Sequence, residues 1–384
     1  MSAGGMTVRE TKAKAVLGAV AGFFKRETVL GVALVLAAVS ACFVPPGPGY
    51  MSYVDWDTLA LLFGLMAVVK GFQGAGVFQF LGSRLLRRTG STRTMLLVLV
   101  FLPFFFSMVI TNDVSLITFV PFGLVVLRLA GQERLVIPLV VLQTLAANLG
   151  SMLTPMGNPQ NLYLYTRYSL GFGELCGAMA PYVALSGLVL LGAALLQKAT
   201  PIPPVEVPAQ LGSPKRLALC CLGFVLCLLG LFSVVPPLAV AAVVLVFLLF
   251  ADRSILRQVD YSLLLTFLAF LVFIGNLGSV PAFQNFLTSA LSGHVELVSV
   301  LASQVISNVP AALLLSGFTE EALPLLIGVN LGGLGTLIAS MASLISYKQI
   351  NREYSELRGR YLLSFTLWNL ALLAVLLLLC LAFL

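Results

Sequence analysis

Apolar residues run through this chain in long blocks with little alternation, and polar positions gather into short breaks between them. Blocks near 28–44, 58–72, 135–163, 174–196, 217–234, 237–251, 260–276, 323–346 and 361–383 suit helices crossing roughly 30 Å of hydrocarbon, about 20 residues each. They predict an all-α polytopic membrane protein with about nine transmembrane helices. Two further segments, 94–128 and 297–318, are apolar on both sides of a polar break. In the second, only about ten apolar residues flank each side of Ser307-Asn308-Val309-Pro310, half of a crossing, so it is expected to enter and leave on one face. The first has longer legs, Met95 to Ile110 and Val114 to Leu127, and reads either as a re-entrant hairpin or as two short crossings with Asn112-Asp113 outside.

The polar residues inside the blocks are repeated. Asn148-Leu149-Gly150-Ser151-Met152-Leu153-Thr154 and Asn330-Leu331-Gly332-Gly333-Leu334-Gly335-Thr336 share Asn-Leu-Gly with a Thr four residues on. Thr111-Asn112-Asp113-Val114 precedes the first copy and Ser307-Asn308-Val309-Pro310 the second. Residues 54–65 (Val-Asp-Trp-Asp-Thr-Leu) also resemble 259–270 (Val-Asp-Tyr-Ser-Leu-Leu), with hairpin and broken helix following in the same order. With span 217–234 as the odd helix between them, the copies lie in opposite orientation, an inverted repeat of two hairpins and two broken helices. The expected organisation is a cytoplasmic arm at 1–26, a first half at 27–197, a proline-rich cytoplasmic linker at 198–216 and a second half at 217–384.

Composition narrows the class. With 59% hydrophobic and 10% charged residues, the chain lies outside the range of soluble domains. Its net charge of +7 does not point to nucleic acid, because the positive residues sit in short loops between spans. Placing the N-terminus inside puts every Lys and Arg on the cytoplasmic side except Arg167 and Lys70, and Lys70 lies near a cytoplasmic span end where it can snorkel. That orientation leaves the C-terminus outside, in the plasma membrane. The six cysteines lack metal-ligand spacing, and the single histidine, His294, falls in an outer loop. Intramembrane proteases need, at membrane depth, two Asp residues, His-Glu-x-x-His or a Ser with a His base, and an ATP-driven pump needs a phosphate-binding loop. None is present in the sequence, so neither an enzyme nor a cofactor is expected.

Hairpin tips and broken helices leave backbone groups without helical partners, each costing several kcal/mol in lipid unless protein, water or an ion satisfies it. They persist where they line a cavity. Half-helix N-termini suit an anion, and unwound carbonyls with Asn and Thr oxygens suit a dehydrated sodium ion. The candidates are Asn112, Asn148, Asn308 and Asn330, which could hold Na+, then Thr111, Ser151, Thr154, Ser307 and Thr336, with Asn158 on the outward continuation. Gly150, Gly332, Gly335 and Pro310 shape the breaks. Asp113 alone among the carboxylates falls at expected membrane depth; it is either a coupling group for protons or cations, or a helix cap. This constellation points to a secondary active transporter of a small anion or oxyacid, with Na+ or H+ as coupling ion. A passive channel is the alternative outside that class.

Those residues resemble a known group. Ile110-Thr111-Asn112-Asp113, Asn148-Leu149-Gly150-Ser151 running to Gly157-Asn158-Pro159-Gln160-Asn161, and the Ser307 and Asn330 motifs are similar to the ion transporter superfamily. It includes arsenite permeases of the ArsB type, NhaD-type sodium/proton antiporters, citrate transporters and divalent anion/sodium symporters. The resemblance implies a homodimer in which a transport domain moves against a scaffold as an elevator. In the dicarboxylate branch both tips carry Ser-Asn-Thr; here Asp113 and Val309 stand where Thr would be, so the Asn-Asp pair looks closest to the ArsB-like branch. Arsenite or antimonite efflux and sodium/proton antiport are the alternatives this implies.

Overall fold

The computed structural model describes residues 22, 27–203, 205 and 207–383; the expected cytoplasmic arm lies, residue 22 apart, outside them. Regular structure among the described residues is helical, and the protein is an all-α polytopic membrane protein. Among the described residues, seven helices are long and apolar enough to cross a bilayer, including Trp56–Gly74, Asn112–Leu129, Glu133–Leu153 and Phe172–Leu195. The expected count of nine spans is met only with shorter pieces. Thr28–Phe43 has 16 residues, ending before Pro45-Pro46, and Pro237–Ala251 has 15, held between Pro236 and Asp252. The block at 323–346 is divided by its glycines into Ala322–Leu331 and Met341–Glu353. A helix at Pro281–Leu291 occupies part of the segment read as an outer loop.

Local chemistry explains where helices begin. The Val-Asp motif at 259–260 is a capping device, with the Asp260 carboxylate accepting the backbone N–H of Leu263 at 3.0 Å. Ser91 and Thr94 form a reciprocal capping box that opens Thr92–Phe106. Ser213 caps Pro214–Leu231, whose first position holds the proline. At the far end of the next helix, Arg216 pairs with Asp252 at 2.9 Å. Hydrogen bonds from Ser254, with Arg216 adding, hold the Asp252 carboxyl below the usual carboxylate range.

The chain forms two compact units, residues 1–55 with 260–286 and residues 56–259 with 287–384. In the first, Thr28–Phe43 packs along Tyr261–Gly278, and Asn276 donates to Ser40 Oγ at 3.0 Å and Tyr50 Oη at 2.8 Å. In the second, Trp56–Gly74 packs on Pro214–Leu231 and Pro237–Ala251. The partners are therefore exchanged between the repeats. Thr28–Phe43 and Pro237–Ala251 each precede one copy of the Val-Asp helix, and each packs on the copy belonging to the other half.

The second unit is built around Val136–Gly150. Of an 18-residue window of the span Glu133–Leu153 that contains it, 89% is buried, against 22% for Pro214–Leu231, which places the former at the centre and the latter at the periphery. Thr92–Phe106 and Asn112–Leu129 both pack on this central helix. Gln143 fixes them by donating to the carbonyls of Leu99 at 2.9 Å and Phe119 at 3.1 Å. Arg128 joins the end of Asn112–Leu129 to the second broken helix, bonding Glu353 and Tyr354 while lying over the Tyr354 ring.

Candidate functional site

At the first tip, Thr111 is the N-cap of Asn112–Leu129, its hydroxyl accepting from the Val114 N–H at 3.5 Å. Asn112 is buried, and its Oδ1 accepts the Asp113 backbone N–H at 2.8 Å. At the second tip, the Asn308 Oδ1 accepts the Val309 N–H at 2.9 Å in the same way. Asp113 is half-buried on the first turn of its helix, where the dipole favours an acid, and the cap position beside it belongs to Thr111. Ser307, between Val295–Ile306 and Asn308–Leu315, has φ 73° and ψ 154°. A non-glycine residue held there costs of order 1–3 kcal/mol and persists only where its surroundings fix it. The fixing group is Ala339 of the second break, whose carbonyl accepts from Asn308 N at 2.9 Å and Ser307 Oγ at 3.3 Å. Pro310 is buried behind this tip.

The broken helices reach across to each other. Ten and thirteen residues after Asn148 stand Asn158 and Asn161; ten and thirteen after Asn330 stand Ser340 and Ser343. Asn148 accepts from Ser340 Oγ at 3.2 Å and donates to Ser343 Oγ at 3.3 Å. Asn330 accepts from Asn158 Nδ2 at 3.4 Å and donates to Asn161 Oδ1 at 2.7 Å. Each half's Asn-Leu-Gly asparagine is thus bound by the arm that follows the break in the other half. Asn112 joins the first cluster by donating to Asn148 Oδ1 at 3.1 Å.

The supports of the two breaks match as well. Four residues before the tip asparagines lie Met108 and Gln304, and the carbonyl of each accepts the hydroxyl of the break threonine, Thr154 and Thr336. Five residues before them lie Ser107 and Ser303, which sit against Gly150 and Gly332. Ser151 turns inward to its own helix, donating to the Asn148 carbonyl at 2.9 Å. Unwound carbonyls are satisfied differently in the two halves. Asn161 donates toward the carbonyls of Ser151, Met152 and Thr154; Gln304 donates to those of Gly332 and Leu334 at 2.9 Å. Gln304 also lies against Gly335, whose φ of 105° favours glycine.

The four asparagines expected to share an ion therefore come as two pairs, Asn112 with Asn148 and Asn308 beside the Asn330 turn, joined through Ala339-Ser340. The side-chain oxygens of all four accept hydrogen bonds in this arrangement. Asn158 is different: it is 3% exposed, its Oδ1 has no partner, and it begins Pro159–Arg167 without capping it. Gln160, 1% exposed, has an unpartnered Nε2 two residues on. One open acceptor and one open donor thus lie in the first outer arm. Among the described residues no cluster of three His, Cys, Asp or Glu could hold a metal ion.

Gln304, Ser340 and Ser343 escape sequence reading because isolated polar residues carry no motif, and Asn161 is seen only as the end of the Gly157–Asn161 run. The signal that finds the two serines and Asn161 is register: carrying the Asn-Leu-Gly alignment thirteen residues further pairs polar with polar at both positions.

This geometry has a counterpart in known sequences. A family model described as Citrate transporter matches residues 19–321, which include both tips and the first break. The chain belongs to that family. Among its relatives, the inner membrane protein YbiR of Escherichia coli is 32% identical over 338 residues, 86% of this chain and 88% of that protein. The uncharacterized transporter MJ0456 of Methanocaldococcus jannaschii is 33% identical over 313 residues, covering 81% and 85% of the two chains. The silicon efflux transporter LSI3 of rice is 31% identical over 140 residues, 36% of this chain and 28% of its own length. As a member of the citrate transporter family, the protein is an integral membrane transporter.

Proposed function

We propose that this protein is a secondary active transporter moving a small anion or oxyacid through the paired breaks, coupled to Na+ or H+, as a homodimer working in elevator fashion in the plasma membrane. The observation that carries the proposal is the crossed network, in which Asn148 is held by Ser340 and Ser343 while Asn330 is held by Asn158 and Asn161. Amide and hydroxyl groups on both halves give a small oxygen-rich solute donors and acceptors together. The open Oδ1 of Asn158 and Nε2 of Gln160 are buried groups that a ligand would satisfy. None of the site residues is cationic, so an anion would be met by amides, hydroxyls and half-helix ends, and Asp113 would take the coupling ion. The rice relative's name favours a neutral oxyacid within this class. Arsenite or antimonite efflux fits the same donors.

Purified protein in sealed proteoliposomes tests the reading. With an imposed Na+ or proton gradient, one of citrate, arsenite or silicic acid is expected to accumulate uphill. Flux that only ever runs down the solute's own gradient would make the protein a channel. Asp113→Asn is expected to leave the thermal unfolding midpoint nearly unchanged, because Thr111 is the cap, and to remove the dependence of transport on the coupling gradient. Retained dependence would move the coupling group elsewhere.

A further inference from the structure

A cavity of about 530 Å³ lies where the start of Val136–Gly150 meets the start of Arg358–Phe383, at the opposite end of the former helix from its Asn148 break. Arg134, Glu133 and Arg360 line one part of it, and Leu363, Leu367 and Trp368 another. We infer that this groove binds a bilayer phospholipid whose headgroup carries both a phosphate and a primary amine.

The charged part fits such a headgroup. Arg134 and Arg360 are exposed, and neither is in an ion pair with a described residue; Arg134 has only the side-chain oxygen of Gln132, at 3.2 Å from its Nε. Guanidinium groups with free donors grip phosphate oxygens in bidentate fashion. The exposed Glu133 carboxylate in the same cavity works against a purely anionic ligand and favours an ammonium beside the phosphate.

The apolar part fits the acyl chain. Arg360, Leu363, Leu367 and Trp368 recur at helical spacing and therefore lie along one face, spanning about 12 Å at 1.5 Å per residue. Leu363 and Leu367 are 65% and 60% exposed. Charge at one end of a single helix face and exposed apolar surface at the other match an amphiphile aligned with the membrane normal. Trp368 closes the apolar end of that face, where it would lie against the acyl chain. A free phosphate would use the arginines and leave the leucines and Trp368 untouched.

The full-length protein, stripped of lipid in detergent, provides the test. Native mass spectrometry and thermal shift would be recorded with phosphatidylethanolamine, phosphatidylglycerol or inorganic phosphate. Phosphatidylethanolamine is expected to remain bound and to raise the unfolding midpoint, with inorganic phosphate giving no shift. Arg134→Ala with Arg360→Ala should weaken that binding at least about tenfold. Glu133→Gln should invert the preference toward phosphatidylglycerol. Trp56→Phe leaves Trp368 as the sole tryptophan, and brominated-chain phosphatidylethanolamine at one lipid per protein should quench it. This last measurement decides the matter even if the arginine variants fail to fold. Absent quenching, a shift from inorganic phosphate equal to that from the lipid, or lipid binding unchanged in a folded double arginine variant would overturn the assignment.

Discussion

Gly150→Ala is expected to abolish the stable protein or lower its unfolding midpoint in detergent by many degrees. At an open helical position the same change is favourable by about 1 kcal/mol, because alanine is the better helix former. Here a Cβ would overlap the backbone oxygen of Phe104 and lie 2.8 Å from Ser107 Oγ. A backbone oxygen in the packed helix Thr92–Phe106 moves only if that helix moves. The cost of overpacking, about 1–3 kcal/mol or more, then outweighs the helical gain. Gly332→Ala meets chiefly side-chain atoms, Ser303 Oγ at 2.6 Å and Ser303 Cβ at 2.7 Å, with the Gly328 carbonyl oxygen at 2.9 Å. Ser303→Gly should therefore partly rescue Gly332→Ala, whereas Ser107→Gly should not rescue Gly150→Ala. Thermal shift of the four variants checks the pattern, and a Gly150→Ala protein as stable as the parent would show that the close approach is not there.

Asn330→Ala should reduce transport at least about tenfold and destabilise the fold by about 1–3 kcal/mol, the cost of leaving buried polar groups unpaired. Its loss strands Asn158 Nδ2 and Asn161 Oδ1, which it bridges at 3.4 and 2.7 Å. Adding Asn158→Ala to Asn330→Ala should cost much less than Asn158→Ala alone, since its partner is already gone. A coupling of about 0.5–3 kcal/mol is the range for residues sharing one network. The equivalent cycle through Asn148 and Ser340 should show coupling of the same sign. Additive costs in both cycles would mean that the crossed bonds contribute nothing beyond packing.

The sequence carries the coarse architecture openly, because apolar blocks and Asn-Leu-Gly breaks are local signals. Asn112, Asn148, Asn308 and Asn330 are legible as site residues for the same reason: an amide inside an apolar block needs a partner. What those partners are is not local. Ser340 and Ser343 lie beyond the second break among ordinary-looking polar residues, yet they bind an asparagine nearly two hundred positions earlier in the chain. Helix lengths were the other obscure quantity. Hydropathy marks where a chain is apolar, whereas Pro45-Pro46 and Pro236-Pro237 decide how much of an apolar run is helical. The helix Pro281–Leu291 is hidden too, since its Gln284, Asn285, Thr288 and Ser289 dilute the apolar signal.

The exchange of helices between the repeats has a consequence for biogenesis. Trp56–Gly74 leaves the ribosome long before Pro237–Ala251, and Thr28–Phe43 long before Tyr261–Gly278, on which it packs. At a synthesis rate of about 5–20 residues per second, each early helix waits on the order of ten seconds or more in the membrane with its contact face uncovered. Insertion and assembly are thus partly separated in time: the first-half helices can pack on one another, while the two faces that meet second-half helices stay uncovered. Those two faces are closed only once the second repeat has been translated.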